Sequence, residues 1–282
     1  MAALVEHIAG PEFTDWHCHI LPGIDDGPAT IEESLEMGRI LADLGFRRVY
    51  CTPHLINGVY ESSADDVVRS VADLQKGLDD AGIRLTLHAG REYYMDEFLL
   101  SSLGAPRTLG KSPVLLVEIP PSSNPGLVQE TSFQLVLKQI VPLIAHPERS
   151  RLFALDPPRK GGPLGRLVER AAAPFLGNRN SPGAAGSSLS SGSTLCISLA
   201  KMGCHFQGNI GSFAGIYGEQ ERRQALQFLE RGLYTHLGSD AHQPRHLWQW
   251  LEKGLREIEK AVGKEAMQKL MGEEAAGCAG VL

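Results

Sequence analysis

Two histidines, His17 and His19, are separated by a single residue near the start of the chain. Side chains alternate along an extended strand, so both imidazoles project to the same side of the backbone. They can therefore converge on one metal ion, and the acidic turn at Asp25-Asp26 follows closely enough to add oxygen ligands. This spacing predicts a metal site.

Six further ionisable residues extend the pattern along the chain: His54, Glu92, Glu118, His146, Asp240 and His242. Each lies at the end of a predicted strand or just beyond it. In an α/β barrel, the carboxyl ends of all strands open on one face, which is where active sites of that fold lie. Core packing does not require a polar residue at each strand end, so the coincidence favours a ligand set.

Imidazole and carboxylate ligands together suit Zn, Mn or Fe, and carboxylates can bridge two ions. The candidate ligands are numerous enough for two or three ions. Such a cluster lowers the pKa of a bound water molecule and can clamp the attacking and leaving oxygens of a phosphoryl group. The ligand chemistry predicts a metal-dependent hydrolase.

Several of these residues also have simpler explanations. A histidine pair of this spacing is by itself a weak signal. His54 follows Thr52-Pro53 and could cap a turn, and Glu92 could pair with its neighbour Arg91. Glu118 ends an apolar run, where a buried carboxylate needs a metal or an arginine as its partner.

The later motifs can likewise be explained without a metal site. The segment from His146 to Arg149 could be a plain turn, although the guanidinium of Arg149 has the planar fork that binds phosphate through two nitrogens. Asp240-Ala-His242 mirrors the opening histidine pair. Cys18 and Cys51 are expected to be small buried side chains, because no phosphate loop of the Cys-x5-Arg type accompanies them.

The elements that would position these residues alternate between strands and helices. Thr30 and Glu33 have the spacing of a capping box, which starts the first helix. We predict strands over 12–20, 46–51, 83–88, 113–118, 141–146, 204–210 and 233–240, and helices over 30–44, 63–81, 95–103, 126–139, 164–172, 218–231 and 245–262, with a weakly helical tail. Seven β-α repeats indicate parallel strands joined by right-handed crossovers. We expect a single α/β domain over 1–282 with a TIM-like barrel, and an open doubly wound sheet is the competing arrangement.

One region does not follow this alternation. The segment 177–194 is rich in Gly, Ser, Ala and Pro and offers little to pack. Its composition favours a flexible insert or surface loop, which we place at about 174–200.

Composition limits the class of protein. With 282 residues of which 43% are hydrophobic, the chain can bury a substantial core. A formal net charge of −6 argues against nucleic acid or an anionic membrane surface as the main partner. The five cysteines are widely spaced, which suggests reduced thiols, and no signal peptide or membrane helix is evident. These features indicate a soluble cytoplasmic protein.

Five segments together resemble the PHP (polymerase and histidinol phosphatase) superfamily. Within it, they are most similar to the bacterial manganese-dependent protein-tyrosine phosphatases of capsule and exopolysaccharide synthesis. The segments are His17-Cys-His19-Ile-Leu-Pro-Gly-Ile-Asp-Asp-Gly27, Thr52-Pro-His54 with Asn57-Gly-Val-Tyr60, Ala145-His-Pro-Glu-Arg149, Gly211-Ser-Phe-Ala-Gly-Ile-Tyr-Gly218 and Gly238-Ser-Asp-Ala-His242.

The resemblance implies a distorted (β/α)7 barrel that holds two or three Mn²⁺ ions, with Fe or Zn as alternatives. Carried over by position, one metal would be held by His17, His19, Glu92 and Asp240, a second would share Glu92 and add Glu118 and His146, and a third would use Asp26, His54 and His242. Arg149 matches the phosphate-binding arginine of the family. A further arginine follows the last motif in the family, and Arg245 is the candidate here, closer to His242 than the pattern expects.

The implied reaction is hydrolysis of a phosphomonoester by in-line attack of a metal-bridging hydroxide. Arg149, Asp240 and His54 are the expected catalytic residues, and Arg149 and the metals would take up charge on the equatorial oxygens. Tyrosinate leaves readily, since its conjugate acid has a pKa near 10. The resemblance makes a phosphotyrosine protein the expected substrate, such as the tail of a bacterial tyrosine kinase. A small-molecule phosphatase, such as a histidinol-phosphatase, and a catalytically silent regulator that binds a phosphotyrosine tail are the alternatives.

Overall fold

The structure is a computed structural model that describes residues 12–156 and 191–272. All the strand pairs that it contains are parallel. The strands are β1 (Phe13–Cys18), β2 (Phe46–Cys51), β3 (His54–Leu55), β4 (Thr86–Ala89), β5 (Glu92–Tyr94), β6 (Val114–Glu118), β7 (Val141–Ala145), β8 (His205–Asn209) and β9 (His236–Gly238).

The strands form two sheets, with orders β1-β2-β4 and β3-β5-β6-β7-β8-β9. Only two residues separate β2 from β3, and two separate β4 from β5, so each pair is one interrupted strand. The remaining edges, β1 and β9, also meet. The amide of His19 donates to the carbonyl of Ala241 at 3.0 Å, and the amide of Asp240 donates to the carbonyl of His17 at 2.7 Å. The result is a closed barrel of seven parallel strands, which confirms the predicted fold class and rules out the open sheet.

Helices connect the strands and cover the outside of the barrel. They are α1 (Ile31–Asp43), α2 (Ala64–Asp80), α3 (Leu99–Ser102), α4 (Pro125–Leu137), α5 (Ser191–Met202), α6 (Ile210–Ala214), α7 (Glu219–Glu230), α8 (Leu247–Val262) and α9 (Lys264–Met271). Thr30 caps α1 as predicted, its side chain accepting from the amide of Glu33. No helix in the described residues is long and apolar enough to cross a membrane.

The hydrophobic core has two parts. The larger cluster lies between the strands and the surrounding helices. A smaller one joins Trp16 of β1 to Leu116 of β6 and Leu143 of β7. Because β1 is not a neighbour of β6 or β7 in the barrel, this cluster fills the barrel interior. Trp16 stacks on Tyr50 with ring centroids 4.7 Å apart, and this aromatic layer precedes the strand ends at which the polar residues lie.

The structure corrects several predicted boundaries. Residues 83–85 lie outside β4, and β3 and β5 were not predicted because strands of two or three residues carry no readable alternation. The helix predicted over 95–103 is only the four-residue α3, and the strand predicted over 233–240 is only β9. The strand predicted over 204–210 ends at Asn209, whose side chain caps α6 by accepting from the amide of Gly211.

The predicted insert falls mostly outside the described residues, as does the helix predicted over 164–172. Its last part, 191–200, belongs to α5 and is therefore a helix rather than a loop. Leu195 and Leu199 attach this helix to the rest of the fold, because both are buried in the larger core cluster.

Candidate metal centre

The nine predicted ligands meet at the carboxyl end of the barrel. Each is delivered by the end of a strand or the turn after it: His17 and His19 by β1, Asp26 by the turn before α1, His54 by β3, Glu92 by β5, Glu118 by β6, His146 by β7, and Asp240 and His242 by β9. Parallel strands in a closed barrel present all these ends on one rim. Four overlapping groups of these residues have donor atoms within 4.8 Å of one another.

The tightest group consists of His17, His19, Glu92 and Asp240. The Nε2 atoms of His17 and His19 are 3.0 Å apart. His17 Nε2 lies 3.3 Å from both Glu92 Oε2 and Asp240 Oδ1, and His19 Nε2 lies 3.3 Å and 3.4 Å from the same two oxygens. Each of the two ring nitrogens thus lies 3.3–3.4 Å from both carboxylate oxygens.

This spacing fits a metal ion. Donors about 2.0–2.2 Å from one ion are separated from each other by roughly 3.0–3.5 Å, which is the spacing found here. Glu92 is fully buried, yet its Oε2 has no hydrogen-bond partner in the described residues. Its close neighbours are three ring nitrogens, those of His17, His19 and His54, at 3.0–3.3 Å. A buried carboxylate oxygen without a hydrogen bond is costly unless a cation satisfies it.

Glu92 also joins the first group to its neighbours. Its Oε1 lies 3.2 Å from His146 Nε2, and its Oε2 lies 3.0 Å from His54 Nδ1. Glu118 completes a group with His54 and Glu92, whereas His146 is grouped with His17 and Asp240. The subsets therefore differ from those that the family resemblance implied, although the residues are the same.

A third group lies toward solvent. Asp26 Oδ1 is 3.3 Å from His242 Nε2 and 3.7 Å from His54 Nε2. The rings of His19 and His242 stack with centroids 4.0 Å apart. His54 thus faces Glu92 with one ring nitrogen and Asp26 with the other, and it links the inner and outer groups.

The histidine rings are oriented by a second set of hydrogen bonds. His17 Nδ1 is 2.9 Å from Gln207 Oε1, and His19 Nδ1 is 2.7 Å from Asp25 Oδ2. His242 Nδ1 is 2.9 Å from the carbonyl oxygen of Asp240. Since each partner is an acceptor, Nδ1 carries the proton of the neutral ring, and Nε2, which faces the cluster, is the nitrogen that would bind a metal. Sequence reasoning missed Asp25 and Gln207 in this role, and only the acidic turn signalled Asp25.

The charges in the cluster shift each other's pKa values. Burial alone would lower the pKa of His17, but the carboxylates of Glu92 and Asp240 outweigh burial and raise it to about 9. Burial would raise the pKa of Glu92, but the histidines around it hold it well below its ordinary value. Burial and the charge of Glu92 raise the pKa of Glu118. Without an ion, protons on the histidines balance the carboxylates; a bound cation would take their place.

Arg149 lies at the edge of the centre and contacts it through Asp240. Its Nη1 donates to Asp240 Oδ2 at 2.6 Å, and its guanidinium lies over the ring of Tyr217 at 4.3 Å from the centroid. Asn209 Nδ2 also donates to Asp240 Oδ2, at 2.8 Å. His146 and Asp240 both have positive φ, 30° and 53°, a conformation that costs free energy in residues other than glycine and is concentrated at functional sites.

Other predicted residues lie elsewhere. Arg245 is exposed and forms no hydrogen bond or ion pair with the described residues. Arg91 donates to Ser62 and to the carbonyl of Ser63 rather than pairing with Glu92. Cys18 and Cys51 are buried, and burial raises the pKa of both thiols, as expected for packing residues rather than nucleophiles.

Comparison with known proteins identifies a family. The sequence profile of the family described as capsular polysaccharide synthesis, CpsB/CapC, matches residues 13–156 and 187–278. The two matched segments together contain every predicted ligand as well as Arg149.

Individual relatives and a solved structure agree with this match. The chain is 30% identical to the tyrosine-protein phosphatase YwqE of Bacillus subtilis, over 89% of this chain and 85% of that protein. It is 23% identical to the tyrosine-protein phosphatase CpsB of Streptococcus agalactiae, over 93% of this chain and 96% of that protein. A crystal structure from work on YwqE of Bacillus subtilis and CpsB of Streptococcus pneumoniae, described as metal-dependent tyrosine phosphatases, superposes with a TM-score of 0.72 at 28% identity, covering 93% of this chain and 92% of that chain.

Proposed function

We propose that this chain, which belongs to the CpsB/CapC family of capsular polysaccharide synthesis, is a metal-dependent phosphatase that hydrolyses phosphotyrosine in proteins. The observation that carries the proposal is the cluster of His17, His19, Glu92 and Asp240, in which the two ring nitrogens lie 3.0 Å from each other and 3.3–3.4 Å from both carboxylate oxygens, with the guanidinium of Arg149 hydrogen-bonded to Asp240. A cation cage beside an arginine provides what a phosphate dianion needs for binding.

The nine predicted residues are proposed as the metal ligands. His17, His19, Glu92 and Asp240 form the inner site, and Asp26, His54 and His242 form the outer one. Glu118 and His146 would complete the set from either side of Glu92. We propose two or three Mn²⁺ ions, since mixed imidazole and carboxylate donors suit that ion, and Fe or Zn fits the same chemistry.

Arg149, Asp240 and His54 would have different roles in catalysis. Arg149 would bind two phosphoryl oxygens and stabilise the charge that grows on them in the transition state. Asp240 would hold Arg149 through Oδ2 while its Oδ1 faces the inner site. His54 would position the phosphoryl group from the outer side, since it is only partly buried. When bound, the ions would activate water and neutralise phosphoryl charge.

Orientation of the inner histidines would depend on Asp25 and Gln207, which accept from their Nδ1 atoms. Fixed rings keep the donors in place during the reaction, so little free energy is spent on rearrangement. Arg245 is not among the proposed metal ligands. We propose that it binds substrate, as the sequence pattern implies.

The expected partner is a phosphotyrosine protein, and we propose the tail of a bacterial tyrosine kinase that controls capsule or exopolysaccharide synthesis. A cytoplasmic location agrees with the cysteines, because Cys18, Cys51, Cys196 and Cys204 are free and buried.

The experiment compares phosphate release from a phosphotyrosine peptide, from histidinol phosphate and from a phosphoserine peptide by the Mn²⁺-loaded protein. We expect the phosphotyrosine peptide to have the highest kcat/KM by at least tenfold. Preference for histidinol phosphate would replace the proposal with a small-molecule phosphatase. Peptide binding without phosphate release would identify a silent regulator.

A further inference from the structure

A cavity of about 320 Å³ lies beside Arg149. One of its walls is the connection from β6 to α4, and the other is the end of β7 with the two short 3-10 turns that follow it, Pro147–Arg149 and Arg151–Phe153. A volume near 300 Å³ is at the lower limit for ligand pockets, so the cavity suits a single side chain rather than a folded segment.

The residues that line the cavity include both ionisable and apolar side chains. Glu118, His146 and Arg149 belong to the predicted catalytic centre. Apolar side chains supply much of the rest, namely Ile119, Pro121, Pro125 and Leu152, beside Ala145, Ser150 and Arg151. Ile119 is buried, Leu152 is half-buried, and both prolines are exposed. The cavity thus joins residues proposed to bind a phosphoryl group to a largely apolar wall formed by the connection from β6 to α4.

We propose that this cavity holds the phenyl ring of the phosphotyrosyl side chain and thereby selects aryl phosphates over alkyl phosphates. The inference rests on the proposed function and adds the residues that determine specificity. When Arg149 binds the phosphoryl group, the ring joined to it through the ester oxygen can lie against the adjoining apolar walls. These walls would take the flat ring out of water. The short arm of a phosphoserine would leave Ile119 and Leu152 without contact.

The test measures binding rather than turnover, using phenylphosphonate and methylphosphonate, which share one head group and are not hydrolysed. Isothermal titration calorimetry on the Mn²⁺-loaded protein should give about tenfold tighter binding of phenylphosphonate, since the ring buries apolar surface. Pro125→Trp places an indole at an exposed helix start beside the cavity. We expect it to weaken phenylphosphonate at least tenfold and to leave methylphosphonate within twofold.

Leu152→Ser should reduce the phenyl-to-methyl affinity ratio at least threefold. Leu152 also packs against the core, so the Leu152→Ser result counts only if this variant and the wild type have the same thermal midpoint of unfolding. If they do not, the result for Pro125→Trp decides. Phe98→Ser is the matched control, because Phe98 is an exposed apolar residue on the loop after β5, outside the cavity lining.

The outcomes separate the two proposals. Equal affinity for the two phosphonates in the wild type, or an unchanged ratio in Pro125→Trp, would overturn the cavity assignment while phosphotyrosine hydrolysis could still stand. Failure of the loaded protein both to bind either phosphonate and to release phosphate would overturn the proposed function, and the cavity assignment with it.

Discussion

Arg149 and Asp240 form an ion pair in which Nη1 lies 2.6 Å from Oδ2. The other oxygen of the same carboxylate, Oδ1, lies 3.3 Å from His17 Nε2 and 3.4 Å from His19 Nε2. Asp240 therefore uses one oxygen for the proposed phosphate-binding arginine and the other for the proposed metal site. Asp240 also has a positive φ of 53°, a backbone conformation that is uncommon in residues other than glycine.

Replacement of Arg149 should separate substrate binding from metal binding. Arg149→Met removes the guanidinium but leaves Asp240 Oδ1 facing the histidines, and Asn209 still donates to Oδ2. We expect kcat/KM for a phosphotyrosine peptide to fall about 10²–10³-fold, because the phosphoryl oxygens lose a charged donor pair.

Metal content, measured by mass spectrometry of the same preparation, should stay unchanged in Arg149→Met. Arg223→Met, an exposed arginine of α7, is the matched control for loss of a positive charge. A parallel loss of metal and turnover in Arg149→Met would mean that Arg149 acts mainly by supporting Asp240.

Replacement of Asp25 tests the orientation of His19. In Asp25→Asn the acceptor of the His19 Nδ1 proton loses its charge, although the side chain keeps its size. Loss of such a partner typically weakens metal binding about 10–100-fold. We expect Mn²⁺ affinity to fall by about tenfold, as measured by titration with a competing chelator.

Asp73→Asn, an exposed aspartate of α2, controls for the lost charge. Equal Mn²⁺ affinity in Asp25→Asn and the wild type would show that the Asp25–His19 hydrogen bond is irrelevant to the metal.

The metal-free protein should lose stability as the pH rises. The pKa of His17 is about 9 in the folded protein and near 6.5 in the unfolded chain. A raised pKa stabilises the fold fully below pH 6.5, and the contribution, about 3 kcal/mol, is lost as the pH rises through 9. Asp15, whose pKa burial raises to about 6, titrates below this window.

Thermal denaturation at intervals from pH 6 to pH 9.5 measures this effect. In the Mn²⁺-loaded protein His17 is expected to be neutral at every pH in that range, so the decline should be absent or much smaller. A decline of equal size with and without metal would assign it to groups outside the centre.

Much of the fold could be predicted because its signals are local. The apolar run before Glu118 and the capping residue Thr30 each lie within one element or its border, and the alternation of such elements indicated the barrel. The two interrupted strands could not be predicted. His54–Leu55 pairs with Glu92–Tyr94, which in turn pairs with β6, and these pairings join segments that lie far apart in the sequence.

The residues of the metal centre, too, could be predicted only in part from the sequence. His17 and His19 were visible as a pair because two residues of one strand share a face. The hydrogen bond from His17 to Gln207 was invisible, since it joins residues 190 positions apart on strands that are not consecutive. Arg245 is a different case: its proximity to His242 in sequence suggested a substrate-binding residue, and its exposed position before α8 leaves that role a prediction.

The central claim is that these side chains hold catalytic metal ions, and chelation tests it most directly. Metal content and phosphotyrosine phosphatase activity are measured on one preparation before and after EDTA, after addition of Mn²⁺, and in His17→Ala. We predict about two or three ions per chain, loss of activity with EDTA, recovery with Mn²⁺, and reduced metal content in His17→Ala. Equal activity in the chelated and Mn²⁺-supplied protein would contradict the account.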